Sequence, residues 1–377
     1  MTDLVRIEHD PTPGNSQERL FCSIPFKWLE VNANGLSYPC CSAWVPYPIG
    51  SALSQPIKDL WNGPRAREIR RSILDGSFRY CTGSCPWLQT RSGPVQKVSD
   101  VTNPLYREII AKNIEVMPQG PRIVNCAFDR SCNLACPSCR TERIVEKRRK
   151  AEILGMQVQL TNEAFGDLEA LYITGSGDAF GSPYFRAWLR RMTADSLPRL
   201  KLIHLHTNAQ LWTPRIWEKI SPDVRRLIKS AEISIDAARP DTYAINRKGG
   251  KWERLLRNLS FIAGLRREGL LEYLKIHMVV QANNYLEMPD FVDLGKRFNV
   301  DTVYFSRMTN WGTFNPEQFR ERTVHDPAHP EHDSFLRVIN SEPLYDPIVM
   351  TGNLSEFQDA ARTRSRERYR EIENIIE

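Results

Sequence analysis

The distribution of cysteine constrains this chain more than any other feature. All nine cysteines fall within the first 139 of 377 residues, as Cys22, Cys40, Cys41, Cys81, Cys85, Cys126, Cys132, Cys136 and Cys139. Disulfides need an oxidising compartment, and the N-terminus does not announce export: residues 1–10 are charged and lack the apolar core of a signal peptide. No run approaches the ~18 apolar residues of a membrane span. The reading is cytoplasmic, without membrane association and with reduced thiols. Reduced thiols gathered in one part of a chain point to metal or iron–sulfur ligation.

The chain changes texture once. Residues 21–90 are rich in Cys, Pro and Trp and have little periodicity, apart from one expected helix over 56–75. A linker with a short helix near 104–113 follows. From residue 122 short apolar runs alternate with amphipathic stretches. Strands are expected at 122–129, 169–174, 201–208, 231–236, 274–281 and 301–306. Helices are expected at 141–153, 182–192, 214–220, 252–267 and 288–298. Strand alternating with helix implies parallel βαβ units. The expected fold is α/β, a six-stranded parallel partial (β/α)6 barrel preceded by a small Cys-rich domain. The boundaries drawn are an N-terminal extension (1–18), the Cys-rich domain (19–96), a linker (97–121), the barrel (122–312) and a C-terminal extension with a helical tail (313–377).

Charge excludes little. There are 51 basic and 45 acidic residues, a net charge of +6. That permits an anionic substrate and does not call for nucleic acid. The densest basic patch, Arg362, Arg364, Arg366, Arg368 and Arg370, is interleaved or flanked by Glu367, Glu371 and Glu373, and reads as a solvated helix face.

The sharpest motif is Cys132-Asn133-Leu134-Ala135-Cys136-Pro137-Ser138-Cys139, directly after the first barrel strand. A closed zinc site needs four ligands. Three thiolates on one loop leave a coordination position open, so a four-iron cluster held this way could bind a small molecule at its fourth iron. The bland alternative is a zinc knob completed by a distant histidine.

Cys-x3-Cys-x2-Cys after the first strand of a βα barrel resembles the radical S-adenosylmethionine (radical SAM) superfamily. The resemblance implies a 4Fe-4S cluster on Cys132, Cys136 and Cys139, with SAM chelating the open iron and cleaved reductively to a 5′-deoxyadenosyl radical. Gly175-Ser176-Gly177-Asp178 after the second strand resembles the family's glycine-rich motif, and implies that Asp178 meets the SAM amine. Thr207-Asn208-Ala209, Ser234-Ile235-Asp236, Arg247 and Gln281-Ala282-Asn283-Asn284 are similar to further cofactor-binding positions of the family. Asn208, Ser234, Asp236, Arg247 and Gln281 are therefore candidate SAM contacts. Ser138 departs from the family, which often has an aromatic residue there to pack near the adenine.

Strand parity gives the barrel lining without any family. Alternate residues face opposite sides of a strand, so His204, His206, Glu232, His277 and Tyr304 fall on the polar, inward faces. Such a lumen suits a polar substrate. His204, His206, Tyr304 and Arg307 are the candidate catalytic residues, Arg307 lying with Asn310 and Trp311 near the pocket mouth. A set of mutually satisfied core histidines is the alternative.

The early cysteines form a second pattern. Cys22-x12-Gly35-x4-Cys40, then Cys81-x3-Cys85, with Trp61-Asn62 and Arg70-Arg71 between, resembles the SPASM and Twitch auxiliary-cluster domains. This implies a second 4Fe-4S cluster on Cys22, Cys40, Cys81 and Cys85. Zinc is the competing occupant, since four thiolates suit it as well. Cys41 is adjacent to Cys40 and stays an alternative ligand. Cys126 shares parity with Val124 and Phe128 and reads as a core thiol. In this family such a domain usually follows the barrel, whereas here it precedes it. The expected activity is hydrogen abstraction from a polar substrate, such as oxidation of a sugar-like molecule with the auxiliary cluster as electron acceptor. Alternatives are modification of a ribosomally made peptide, and epimerisation with Cys41 or Cys126 returning a hydrogen atom. A zinc-binding interaction module is the non-enzyme alternative. An electron donor such as flavodoxin or ferredoxin is an expected partner.

Overall fold

The computed structural model describes residues 19–173 and 176–359. The N-terminal extension, Thr174 and Gly175, and the arginine patch with its expected helical tail lie outside the described residues. The described chain falls into two compact units. The first comprises 19–129, 148–172 and 194–201; the second comprises 130–147, 173, 176–193 and 202–359.

The first unit carries β1 (Leu20–Cys22), β2 (Trp28–Asn32), β3 (Leu36–Tyr38), β4 (Gly50–Ser51), β5 (Val95–Lys97), β6 (Ile123–Ala127) and β7 (Ala170–Ile173). β1 pairs antiparallel with β5. The other strands run in the order β7-β6-β2-β3-β4. β2 lies parallel to β6, with Val31 opposite Cys126, so the Cys-rich block adds strands to the sheet that contains β6. Leu29, Val31, Val124 and Cys126 are all fully buried. Gly35 turns the chain from β2 into β3 at φ +77°, a conformation that favours glycine. That explains the glycine between Cys22 and Cys40.

Two helix expectations are corrected here. The single helix over 56–75 is two helices, Ile57–Trp61 and Pro64–Leu74. Pro64 lacks an N–H and disfavours helical geometry at Gly63, so the chain restarts. Arg70 holds the break together. Its Nε donates to the Pro25 carbonyl at 2.9 Å, and Nη1 donates to Asn62 Oδ1 and the Glu115 carbonyl at 3.0 Å each. The guanidinium lies 4.3 Å from the centre of the Trp61 ring. The helix expected over 141–153 forms instead at Lys150–Glu163. Residues upstream of it are held by the cysteine loop, as described below.

The second unit carries β8 (Leu202–Thr207), β9 (Ile228–Ser234), β10 (Tyr273–Val280), β11 (Thr302–Arg307) and β12 (Val349–Met350). They are neighbours in the order β12-β11-β10-β9-β8, all parallel. Their outward residues, including Leu205, Ile233, Ile276 and Val303, are fully buried, as are Leu255, Leu259 and Ile262 of the helix Trp252–Arg267. Each such side chain contributes about 1.5–3 kcal/mol. Helices of this unit begin where proline follows a capping residue: Ser182 before Pro183, Thr213 before Pro214 and Ser221 before Pro222. The fold is mixed α/β on a mostly parallel sheet. All six strands expected from the sequence are present, each within a few residues of its expected bounds. β12 was not anticipated. Among the described residues no helix is long and apolar enough to cross a membrane.

Candidate iron–sulfur centres and the parallel-strand edge

Cys132, Cys136 and Cys139 pack together on one loop of the second unit. The loop is built by short-range hydrogen bonds. Cys139 N and Arg140 N both donate to the Cys136 carbonyl at 2.9 Å, which closes a turn around the three thiols. Cys132 N donates to the Ile144 carbonyl at 2.9 Å, and Glu146 N to Ser131 Oγ at 3.0 Å. Residues 144–146 are thus committed to the loop, which is why no helix starts at 141.

Each sulfur has an N–H donor. Leu134 N lies 3.5 Å and Asn208 Nδ2 3.6 Å from Cys132 Sγ; Arg247 Nη1 is 3.8 Å from Cys136 Sγ and Arg140 Nη2 3.2 Å from Cys139 Sγ. Burial pushes the Cys132 thiol up to about 12, with Asp178 adding to the rise and Arg140 opposing it. Donors arranged around these three sulfurs, two of them buried, fit sulfur that carries negative charge, as in a cluster-bound thiolate, better than a neutral thiol.

The flanking loop fixes this arrangement. Asp178 is only 1% exposed. Its Oδ1 accepts from Phe180 N at 3.0 Å and Gly181 N at 2.6 Å; its Oδ2 accepts from Thr207 Oγ1 at 2.8 Å and Asn208 N at 2.7 Å. A carboxylate has about four acceptor positions, so none is left for an ammonium. The expectation that Asp178 binds the SAM amine is corrected: it ties the 176–181 loop to the end of β8. Ser176 contributes its carbonyl, which accepts from Arg140 Nη2 at 2.7 Å; Gly177 is described, and Gly175 lies outside the described residues. Gly181, missed in the sequence, is required by close approach, because a Cβ there would lie 2.8 Å from Asn133 Oδ1 and 3.0 Å from Asn133 N. Asn208 bridges the two loops, donating to Asn133 Oδ1 at 3.1 Å. Ala209 adopts φ +58°, the left-handed region.

The next strand ends supply an ion pair beside the cysteines. Asp236 Oδ2 pairs with Arg247 Nη2 at 2.8 Å, and Asp236 Oδ1 accepts from Val279 N at 2.8 Å. Asn284 donates to the Asp236 and Val279 carbonyls at 3.0 and 2.9 Å and accepts from Gln281 N at 2.7 Å. Gln281 is buried at this junction. Arg247 is 12% exposed, and its buried Nε has no hydrogen-bond partner among the described residues. An unsatisfied guanidinium N–H beside Cys136 is what an added carboxylate would complete.

The strands β8 to β11 also carry a cluster of polar side chains. His206 Nε2 is 2.7 Å from Ser234 Oγ and 3.6 Å from Glu232 Oε1. His277 Nδ1 is 2.8 Å from the same Glu232 oxygen, and its Nε2 is 2.8 Å from Ser306 Oγ. Lys275 Nζ pairs with Glu232 Oε2 at 2.5 Å. Burial would raise the Glu232 carboxyl, but Lys275 and the two histidines outweigh it and hold it well below the usual range. Tyr304 stacks edge-on against His277 at 4.9 Å, with Lys275 Nζ 4.9 Å from the centre of its ring.

Two catalytic expectations are corrected. His204 is buried, its Nδ1 lies 2.9 Å from Ser230 Oγ, and burial drives its pKa down to about 3. It is a core histidine. Arg307 is held by the C-terminal segment, donating from Nε to the Asn353 carbonyl at 2.9 Å and pairing with Glu356. It anchors that segment. Trp311 is largely exposed.

In the first unit, Cys40 lies within electrostatic reach of Cys22, Cys41, Cys81 and Cys85, and burial foremost pushes its thiol well up. The four expected auxiliary ligands are therefore gathered, with Cys41 beside them. Burial raises Cys41 to about 12, and the nearby Glu30 carboxylate adds to it. Glu30 was missed in the sequence. Its Oε1 accepts from Ser42 N at 3.1 Å and its Oε2 from Asn125 Nδ2 at 2.9 Å. Cys126 is fully buried, which fits a core thiol.

Comparison with known proteins bears on this second set. Residues 22–86, which contain all four cysteines, match the SPASM family, an iron–sulfur cluster-binding domain. No curated protein matches the sequence. Among solved structures, the chain is similar to TYW1 with a lysine-pyruvate adduct bound, at 18% identity and TM-score 0.35, covering 59% of this chain and 71% of that one. It is similar to Streptococcus suis SuiB bound to S-adenosylmethionine, at 16% identity and TM-score 0.37, covering 55% and 45%. It is also similar to TsrM, a radical S-adenosylmethionine methyltransferase from Kitasatospora setae, at 13% identity and TM-score 0.35, covering 50% and 36%. The match thus spans about half of SuiB and about a third of TsrM. At such scores the assignment rests on the chain's own residues and on the SPASM match.

Proposed function

We propose that the chain is a radical SAM enzyme with an auxiliary iron–sulfur cluster. The observation that carries this is the three-thiol loop Cys132/Cys136/Cys139, ringed by N–H donors and flanked by the half-satisfied guanidinium of Arg247. Cys132, Cys136 and Cys139 would hold a 4Fe-4S cluster, and Cys22, Cys40, Cys81 and Cys85 a second. When bound, the first supplies the electron that cleaves SAM to a 5′-deoxyadenosyl radical.

The chain's residues position and shield that chemistry. Arg247 offers its free N–H to the SAM carboxylate and keeps its charge through Asp236. Ser234 and Gln281 sit at the same strand edge. Asp178 and Asn208 lock the loops. The Cys-rich block is read as an auxiliary-cluster domain.

The finer reading is oxidation of a polar, sugar-like substrate. Hydrogen-atom abstraction breaks a C–H bond and leaves a substrate radical. The auxiliary centre would supply the acceptor for the second electron, and His206 would take the hydroxyl proton. The polar cluster of His206, Glu232, His277 and Tyr304 supports a polar substrate. The test is anaerobic reconstitution with SAM and dithionite, followed by assay of 5′-deoxyadenosine. Wild type should form it, and Cys132→Ala should fall to background. Equal product in both would end the proposal.

A further inference from the structure

Three side chains that could ligate a cation converge on the strands of the second unit; with an ion bound, His206 would act as a ligand and not as the proton acceptor. His206 Nε2, Glu232 Oε1 and His277 Nδ1 converge so that all three ligand atoms lie within 4.8 Å of one another. They come from three adjacent parallel strands. His206 stands directly opposite Glu232 across β8 and β9, and His277 opposite Ser234 across β9 and β10. Backbone pairing therefore fixes their relative heights.

We propose that His206, Glu232 and His277 form a site for one first-row divalent cation, distinct from the cysteine centres. Two imidazoles and one carboxylate, with room for a water or substrate oxygen, are a common donor set for zinc and its neighbours. Metal–ligand bonds of 2.0–2.1 Å put tetrahedral ligands roughly 3.3 Å apart. The observed separations from Glu232 Oε1, 2.8 Å to His277 Nδ1 and 3.6 Å to His206 Nε2, bracket that edge. The surroundings have the outer contacts of a metal site. Ser306 Oγ holds the far nitrogen of His277 at 2.8 Å, which sets the ring's orientation. Lys275 occupies only the other oxygen of Glu232 and balances its charge. Ser234 Oγ, 2.7 Å from His206 Nε2, would turn aside or become a fourth donor. His206 is 35% exposed, so an ion has a way in and an open face toward substrate. A bound cation there would orient a hydroxyl or carboxylate oxygen of the substrate and acidify it.

The test uses the reconstituted holoprotein, given zinc or cobalt(II) under anaerobic conditions and passed through a desalting column. About one non-iron ion per chain should remain, and cobalt should give a visible d–d band. Glu232→Gln or His277→Gln should weaken retention at least ~10-fold, while the iron content stays that of wild type. His204→Gln, outside the site, should retain the ion. If Glu232→Gln loses its iron, its fold has failed and His277→Gln decides. Wild type that retains no ion, or a His277→Gln variant that retains as much, would overturn the site and leave a hydrogen-bonded triad. Radical SAM activity is read separately by 5′-deoxyadenosine, so neither outcome depends on that reading.

Discussion

The two cysteine sets are held by different means. Cys132, Cys136 and Cys139 lie on eight residues, and the turn that gathers them closes on itself through Cys139 N and Arg140 N. Cys22, Cys40, Cys81 and Cys85 are spread over 64 residues, with β2, β3 and the helix Pro64–Leu74 lying between them in the chain. A local site survives small errors elsewhere in its unit. A non-local one depends on the whole unit, since loop closure must be offset by packing. The first set should therefore be sensitive to changes in its own loops, and the second to changes in distant core contacts.

Arg70 offers the largest separation of the two. Arg70→Leu removes the donors to Pro25, Asn62 and Glu115 and leaves their acceptors unmatched, at a cost of roughly 3 kcal/mol. Calorimetry should show the loss of stability, and iron should fall from about eight to about four per chain while 5′-deoxyadenosine still forms. Loss of both iron and deoxyadenosine together would break the distinction.

Gly181→Ala probes the other side at smaller scale. The added methyl meets Asn133, and such overpacking costs about 1–3 kcal/mol. Deoxyadenosine formation should drop about tenfold, for roughly 1.4 kcal/mol of misplacement, with the auxiliary iron retained. Cys41→Ala should do least. If Cys40 is the ligand, iron content stays at wild-type level; a loss of about four irons would move the ligand to Cys41.

The same contrast explains what was legible in the sequence. Spacing alone revealed Cys132, Cys136 and Cys139, because ligands on one turn leave a fixed period. The strands β8 to β11 were legible because each alternates apolar and polar residues. The helix over 141–153 was misplaced because the cysteine loop captures 144–146 by tertiary hydrogen bonds that no local propensity records. The pairing of β2 with β6 was missed because their partners are 95 residues apart in sequence, Trp28 with Ile123. Asp178, His204 and Arg307 were identified as chemical residues from type and position. Their actual partners, Gly181 N, Ser230 Oγ and the Asn353 carbonyl, come from elements that the motif itself does not contain. Gly181 carried a signal, a glycine three residues past Asp178, but its need arises only from Asn133.

The most direct test of the central claim is a paired measurement of iron content and SAM cleavage in reconstituted wild type and Cys81→Ala. Two separately held clusters predict about eight irons in wild type and about four in the variant, with 5′-deoxyadenosine formed by both under dithionite. Zinc in place of iron, or deoxyadenosine lost with Cys81, would contradict the account.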